Sequence, residues 1–434
     1  MRKALKIFHD LLKTNSFSRL DLRADEKTLA EATQRRMPAS LSENIPKREE
    51  GRIQVLDFFS GCGGMSMGFH SLADLVPGSF NILAGVDLNE EASKSYTRNI
   101  KAPCFVRDIR KLAETKELER LLEEVGYDSG KPLVMIGCAP CQGFTSHRKK
   151  NWDKKDGRND LALVFAEIAV RLKPSCIVME NVPEMFSTKY ERYYLKVRKT
   201  LEKNGYIVHQ KVYNTAAFGV PQERFRLLSM AMKKEFLLPV EHFDADKFRT
   251  VRDAIGNLPP ITPGIPYLKD AYHICARHKP ETIAVIKSVP KDGGNRPAGI
   301  GPKCLDRVKG FTDVYGRLHW NKPSITVTQY ARNPASGRYV HPEQDRGLSI
   351  REAARLQGFP DEFAFAGKFD SMFKQIGEAV PPMFSCAVAA NVLVGLLSAA
   401  PDREQRKVQR RYTLSPVSNS YASMIASVKN ISNP

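Results

Sequence analysis

Two cysteines carry the first chemical signal in this chain. The segment Gly137-Cys138-Ala139-Pro140-Cys141-Gln142-Gly143-Phe144 follows an apolar run at 133–137. Cys138 and Cys141 have the C-x-x-C spacing of a thioredoxin-like redox pair or of half a zinc site. Structural zinc needs two further ligands, but no second C-x-x-C exists and no His stands at zinc-finger spacing. A redox pair is expected after the first core strand of a small domain, whereas this one follows the fourth strand of a large one. The other chemistry makes Cys141 a nucleophile on a strand-end loop. A thiolate is the reactive form, and a helix N-terminus nearby would lower the free-thiol pKa of about 8.5. A buried, inert cysteine is the third reading.

Two further segments hold charges beside apolar runs. Ile177-Val178-Met179-Glu180-Asn181-Val182-Pro183 ends with a carboxylate, which sets Glu180 near a cleft. Gln222-Glu223-Arg224-Phe225-Arg226 opens a later run, and Arg224 and Arg226, two apart, share one face. Taken singly, each arginine reads equally well as a structural salt-bridge partner. A fourth segment, Leu56-Asp57-Phe58-Phe59-Ser60-Gly61-Cys62-Gly63-Gly64, joins a strand to a helix through glycines that let a backbone approach a ligand closely. The dinucleotide fingerprint requires a third glycine at position 66, where Ser66 stands, so the pyrophosphate form fails. An adenosine ligand remains. Asp87, ending the next strand, suits ribose hydroxyls, and Asp108, ending the third, suits the adenine amino group.

These residues need a scaffold that brings strand ends together. Apolar runs at 52–59, 81–86, 105–109, 133–137, 176–179, 207–213 and 225–230 read as strands. Helical patterns lie between them at 65–72, 90–99, 114–125, 161–172 and 193–203. Such alternation predicts a parallel α/β sheet covered on both faces, with ligands at the carboxyl ends of its strands. Past residue 250 the text changes: PPITPGIP and VPKDGGNRP are loop sequences, and helical patterning returns at 349–356 and 383–400. The expected organisation is an extension at 1–50 with one or two short helices, a catalytic domain at 51–250 and 345–400, a smaller irregular domain at 251–344, and a mobile tail at 401–434.

Length and composition bound the function. The chain has 434 residues, enough for two or three domains, and 42% hydrophobic residues, ordinary for a globular protein. Lys plus Arg number 67 against 48 Asp plus Glu, a net charge of +19. With a pI near 9.5, this favours a polyanionic partner, nucleic acid before anionic membrane. Eight cysteines in so long a chain are no disulfide framework, so a reducing compartment fits. The basic N-terminus lacks an uninterrupted apolar signal core. The apolar stretch at 383–400 contains Ser385, Asn391 and Ser398 after a Pro-Pro pair, and is expected as a buried helix rather than a membrane span.

Taken in order, DFFSGCGG, VDLN, RDI, GCAPCQGFT, MENVPE, GVPQERFRL, REAARLQGFPD and QIGEAVPP resemble the bacterial DNA (cytosine-5-)-methyltransferase family. They run from Asp57 to Pro382, about three quarters of the chain. The resemblance implies a Rossmann-like S-adenosylmethionine-dependent methyltransferase domain with a mixed, mostly parallel sheet, and a target recognition domain at 251–344. It implies S-adenosyl-L-methionine as cofactor. Carried over position by position, the cofactor residues would be Phe58, Phe59, Ser60, Gly61, Gly63 and Gly64, then Asp87 and Leu88, then Asp108 and Ile109, with Pro140 and Glu378. The implied catalytic group is Cys141 attacking carbon 6 of cytosine, Glu180 serving its N3, Arg226 its O2, and Arg224 orienting Glu180. No metal is required. One position departs from the pattern: the last motif has Glu378 where the family has Asn. Glu378 would either repel the cofactor carboxylate or pair with an arginine, and tolerance is expected.

Double-stranded DNA is the implied partner, with the target base flipped out of the stack. Gln142, Ser146 and Arg148 belong to a loop that would close over DNA; Arg277 and Arg296 belong to the recognition insert. The stretch 292–296 is expected to be a flexible loop able to reach base edges, with Arg317, Lys322, Arg332 and Arg338 extending the basic face. A bacterial cytoplasmic enzyme is expected, sufficient as a monomer, either paired with a restriction endonuclease acting on the same site or solitary. An RNA cytosine-5 methyltransferase and a catalytically silent DNA-binding protein are the rival readings.

Overall fold

The computed structural model describes residues 53–140, 160–186, 191–306 and 313–401. The N-terminal extension and residues 402–434 of the tail lie outside the described residues, as do Cys141, Gln142, Ser146 and Arg148. Seven strands form one sheet: β1 Ile53–Phe58, β2 Phe80–Asp87, β3 Cys104–Val106, β4 Leu133–Gly137, β5 Cys176–Asn181, β6 Ile207–Asn214 and β7 Phe225–Met232. Their order is β3-β2-β1-β4-β5-β7-β6. The sheet is parallel except for β7, which runs antiparallel to both neighbours. The bare alternation of strands and helices predicts a parallel sheet and misses this reversal, because β6 and β7 are joined by a short connection with no crossover helix.

Strict alternation along the central strands explains why the sheet is buried on both faces. Ile53 and Val55, Val134 and Ile136, and Cys176 and Val178 enter one core. Their neighbours Leu56 and Phe58, Leu133 and Met135, and Ile177 and Met179 enter the other. Helix α1 (Gly64–Leu75) supplies the first core, and α2 (Glu90–Ile100) follows β2. The second core is covered by α3 (Ile109–Leu112), α4 (Thr115–Glu124), α5 (Leu161–Leu172) and α6 (Glu191–Lys203). The expected strand 105–109 is cut at Val106, because Asp108 accepts a hydrogen bond from Arg110 N (2.9 Å) and caps α3 instead.

The irregular region opens with α7 (Val251–Ile255) and contains α8 (Pro280–Ser288); α9 (Ile350–Leu356), α10 (Phe369–Glu378) and α11 (Pro382–Leu397) follow. A third core joins the two regions: Cys62, Met67 and Tyr96 pack with Trp320, Val327 and Tyr339 and with Phe359, Phe363 and Phe365. The stretch Phe369–Leu397 is long and apolar enough to cross a membrane. It is broken between α10 and α11 at Pro381, and α11 packs against α1 and supplies Phe384, Val388 and Val392 to the first core. It is a core element here, as its polar interruptions predict.

Candidate active site

Register brings the chemistry to one edge of the sheet. Phe58 pairs with both Val86 and Gly137, and Gly137 pairs with Met179. The glycine turn, Asp87, the chain that leads to Cys141, and Glu180 therefore leave the sheet at the same level. The reversal of β7 completes the group. Glu180 lies opposite Leu228, so Arg226, two residues from Leu228, is its diagonal neighbour on the same face. A parallel β7 would have carried Arg226 to the far edge.

Arg226 Nε stands 2.8 Å from Glu180 Oε1, both side chains being largely buried. The contact is a close ion pair at the floor of the sheet edge. Burial pushes the Glu180 pKa up, against the lowering charges of Arg226 and Arg224. Next to it, Asn181 Nδ2 donates to Ala139 O (3.3 Å) and its Oδ1 accepts from Val182 N (2.9 Å). Asn181 thus ties β5 to the chain two residues before Cys141.

Arg224 makes a further set of contacts away from Glu180. Its side chain is 2% exposed, and its guanidinium donates to Val327 O (3.1 Å), Gly377 O (3.0 Å) and Ala379 O (3.1 Å). Gln222 lies in the same hub, donating to Leu356 O (3.1 Å) and Gln357 Oε1 (2.6 Å) and accepting from Val327 N (2.8 Å). Arg224 therefore clamps the irregular region and the α10–α11 turn onto β7, and reaches Glu180 through its charge. Sequence spacing gave the shared face of the two arginines but not their separate partners.

At the glycine turn, Phe59 adopts φ +58°, a costly conformation for an aromatic residue and one that marks functional backbone. Gly61 follows at φ +53°, with open space where a side chain would project. Gly64 is required for a different reason: a Cβ there would lie 2.2 Å from Val380 O. Asp87 holds the turn, accepting from Gly61 N (2.8 Å) and Asn89 N (2.7 Å). Leu88 beside it is 66% exposed, as an apolar wall of an open pocket would be. Asp108 is half-buried, with one oxygen committed to Arg110 N. The open turn, the flanking carboxylates and the exposed Leu88 fit an adenosyl ligand. Phe58 and Ile109 do not offer side chains to it. Both are core residues, Phe58 edge-on to Phe165 at 5.8 Å, so only their backbone can line the pocket. Ser60 and Gly63 belong to the turn and Pro140 to the chain before Cys141; Glu378 ends α10 beside the turn.

The sequence pattern missed Asp57 as a chemical group. It is buried, with Oδ2 accepting from Ser66 Oγ (2.6 Å), which also contacts Tyr96 Oη (2.9 Å), and with Oδ1 lacking a hydrogen-bond partner. Burial pushes its pKa up to about 7, with Asp87's charge adding to the rise and the Ser66 hydrogen bond opposing it.

The irregular region corrects several expectations about DNA contacts. Arg296 is not presented for base contact: its side chain is 7% exposed, paired with Asp306 at 2.7 Å and bonded to Pro297 O. The segment 292–296 is not a flexible loop. Asp292 N donates to Pro342 O (2.9 Å), Asp292 Oδ1 accepts from Trp320 N (2.7 Å), and Arg338 donates to Gly293 O (2.9 Å) and to the Asn295 side chain. Arg317 is fully buried, with four backbone carbonyls and Asp345 as acceptors. Arg277 and Lys322 are exposed, and Arg332 pairs with Asp370 at 3.0 Å. Spacing could not separate these roles, because an arginine that folds a loop and one that reads DNA share one residue type.

A sheet of order 3-2-1-4-5-7-6 with one reversed strand and a glycine turn after β1 defines a Rossmann-like methyltransferase. A sequence model of the C-5 cytosine-specific DNA methylase family matches residues 53–393, and the chain belongs to that family. It is a DNA (cytosine-5-)-methyltransferase. Among similar proteins, the Type II methylase M.HgiDII of Herpetosiphon aurantiacus is 32% identical over 78% of this chain and 94% of its own length. The Type II methyltransferase M1.HphI of Haemophilus parahaemolyticus is 33% identical over 79% and 87%. A crystal structure of a proposed DNA modification methyltransferase from an E. coli prophage shares the fold, with a TM-score of 0.61 at 20% identity over 80% of this chain and 100% of that one.

Proposed function

We propose that the chain transfers the methyl group of S-adenosyl-L-methionine to carbon 5 of a cytosine flipped out of a specific duplex DNA sequence, through a covalent adduct between Cys141 Sγ and carbon 6. The observation that carries this reading is the buried Glu180–Arg226 pair at the sheet edge shared with the glycine turn and with the chain that leads to Cys141.

Carbon 5 of cytosine is a poor nucleophile. Addition of the Cys141 thiolate to carbon 6 makes an S–C bond and moves the ring electrons toward carbon 5 and N3. Glu180, its pKa raised by burial, holds a proton for N3 nearer neutral pH than an ordinary carboxyl would. Once that proton has moved, Arg226 lies against the resulting carboxylate, and its remaining N–H groups suit the cytosine O2. The cofactor supplies, when bound, an electrophilic methyl on a sulfonium. Carbon 5 of the adduct then carries both the methyl and its original proton. A base removes the proton, the carbon 5–carbon 6 double bond re-forms, the thiolate leaves, and N3 returns its proton to Glu180. Asn181 holds Ala139, two residues before the nucleophile.

Inside a duplex carbon 6 is out of reach, so the base must leave the stack at a cost of a few kcal/mol. The net charge of +19 supports the phosphate contacts this needs, and Arg277 of the insert is exposed, as such a contact requires. Residues 251–344 act as the target recognition domain, and the catalytic domain comprises 51–250 with 345–400. The Type II names of the relatives support a cognate restriction endonuclease sharing the same site, and a cytoplasmic monomer is enough for this chemistry. Methyl incorporation into duplex DNA and into transfer RNA, measured side by side, tests the substrate. Incorporation into DNA that is lost in Cys141→Ser is the expected result; incorporation into transfer RNA alone would overturn the proposal.

A further inference from the structure

In the irregular region and just after it, many arginines are engaged by carboxylates of the same fold. Arg296, Arg317, Arg332 and Arg338 meet Asp306, Asp345, Asp370 and Asp313. Arg346, Arg351 and Arg355 pair with Glu352, Asp270 and Asp361. These cations tie loops together. A different set stands on α6 of the catalytic domain. Arg192, Lys196, Lys199 and Lys203 recur at helical spacing, share one face and are all exposed. The opposite face of α6 is used for packing, through Tyr194, Val197 and Leu201. Glu202 is taken by Arg198, whose Nε donates to Oε1 at 2.7 Å, so it does not neutralise the stripe. Like charges four apart on a helix repel, and a bound polyanion would relieve that repulsion.

Topology sets where the stripe runs. β5 ends at Asn181 on the catalytic edge, and β6 starts at Ile207, level with Met232 and Cys176 on the opposite edge. α6 joins the two, so Arg192 lies toward the catalytic edge and Lys203 toward the other. At that far edge the positive surface continues. Tyr206 Oη donates to Pro174 O (2.9 Å), which sets exposed Lys173 close by, and Lys233 Nζ lies 5.5 Å from the Tyr206 ring centre. α6 feeds the second core and α11 the first, so the stripe lies on the sheet face away from α11. From Arg192 to Lys203 it spans about 16 Å at the rise of an α-helix. A duplex of that length carries roughly nine phosphate charges. Cations spaced along a rod suit a repeating polyanion better than a single bound anion. Leu195, 38% exposed, is the large apolar side chain exposed on this face, too little for the apolar side by which an amphipathic helix enters a lipid surface.

We propose that the outer face of α6, extended by Lys173 and Lys233, is a second, sequence-independent surface for duplex DNA, which holds DNA outside the target site while a cytosine is presented at the catalytic edge. This rests on duplex DNA as the substrate, but not on the covalent route through Cys141. Contacts of this kind reach phosphates and carry no sequence information, so they retain the enzyme on a long DNA and let it slide between sites.

The test compares the full-length parent with a triple variant, Lys196→Gln with Lys199→Gln and Lys203→Gln, and with the same three positions changed to Arg. The target sequence is first located by bisulfite sequencing of methylated plasmid. The probes are then a fluorescent duplex lacking that sequence, a short duplex holding little beyond it, and a plasmid with several copies. The Gln variant is expected to bind the non-target duplex roughly tenfold or more weakly at about 0.1 M salt, with a slope of log affinity on log salt shallower by about 2–3. Its KM on the plasmid rises, while kcat on the short duplex stays at the parent's value and reports an intact fold. The Arg variant, which keeps the charge, behaves as the parent. Unchanged non-target affinity and salt slope in the Gln variant would overturn the inference. Lost turnover on the short duplex with an unaltered melting temperature would also overturn it, by moving the stripe to the target duplex itself. A defect confined to binding of phosphatidylserine vesicles would do so as well. Failure of the parent to methylate any duplex would overturn both this inference and the substrate it rests on.

Discussion

At the scale of single residues, the buried carboxyl of Asp57 makes a prediction that its exposed neighbours do not. Its pKa is about 7 in the folded protein and near 3.8 in an unfolded chain. A group whose folded pKa is raised stabilises the fold fully below the unfolded value and loses that contribution as pH rises through the folded value. Between about pH 4 and 7 the folded state thus holds a proton the unfolded state has released, and above pH 7 the buried charge is fully costly. Asp57→Asn should therefore unfold at higher urea concentration than the parent at pH 8, by on the order of 1–4 kcal/mol, and differ little at pH 4. Equal urea midpoints at both pH values would show that the carboxyl is not held protonated. Sequence made the glycine turn around Asp57 legible, because its residue types are forced by backbone geometry. It did not reveal the carboxyl's burial, since Ser66 and Tyr96, which enclose it, come from α1 and α2. The same limit applied to Arg224 and Arg226, whose two-residue spacing fixes a face while tertiary partners fix a role. It applied again to Arg296 and Arg317, which spacing offered as basic-surface residues and packing turned into the ties of a loop-rich region.

At the scale of elements, the junction before α9 depends on one buried ion pair. Arg346 donates to both oxygens of Glu352 (2.8 and 2.6 Å), and Glu352 also accepts from Ser349 N (2.8 Å) while Ser349 Oγ accepts from Glu352 N (3.0 Å). That reciprocal cap starts α9 at Ile350, as the S-x-x-E spacing in the sequence would allow. Burial opposes ionisation of Glu352, but the Arg346 charge and hydrogen bonds win and hold its pKa at about 2. Because this folded value lies below the ordinary one, the stabilisation is present above about pH 4.5 and is lost as pH falls toward 2. Glu352→Gln leaves the Arg346 guanidinium buried without its counter-charge, and should cost about 3–5 kcal/mol at pH 7. Thermal unfolding of parent and variant should converge below pH 4; a constant gap across that range would contradict the assignment. The helices and central strands were legible because period and alternation are local. The reversal of β7 was not, since direction is set by the length of a connection and by pairing partners. Yet that reversal is what carries Arg226 to Glu180.

At the scale of the whole molecule, one sheet edge fixes the chemistry and a loop-rich region supported by a shared core faces it. The third core draws on both regions, so the irregular region is anchored, not hung on a linker. Its smaller core of Val285, Ile286, Val289, Val314, Tyr315 and Val340 is its own. Exchange of residues 251–344 for the corresponding insert of another family member should therefore yield a folded enzyme with a changed target sequence, read by bisulfite sequencing of methylated plasmid. An unchanged target sequence would remove recognition from this region. Its Pro- and Gly-rich composition was legible in the sequence, but its internal order was not, because the turns at 292–296 are tied to residues far along the chain. The central claim, a covalent route through Cys141, is tested most directly with duplex DNA that carries 5-fluorocytosine, incubated with the full-length enzyme and S-adenosylmethionine. Fluorine cannot leave as a proton, so the adduct should persist through denaturing electrophoresis, map by mass spectrometry to Cys141, and vanish in Cys141→Ser. Methyl transfer to ordinary duplexes without any trapped adduct, or an adduct that maps to Cys138, would contradict the account.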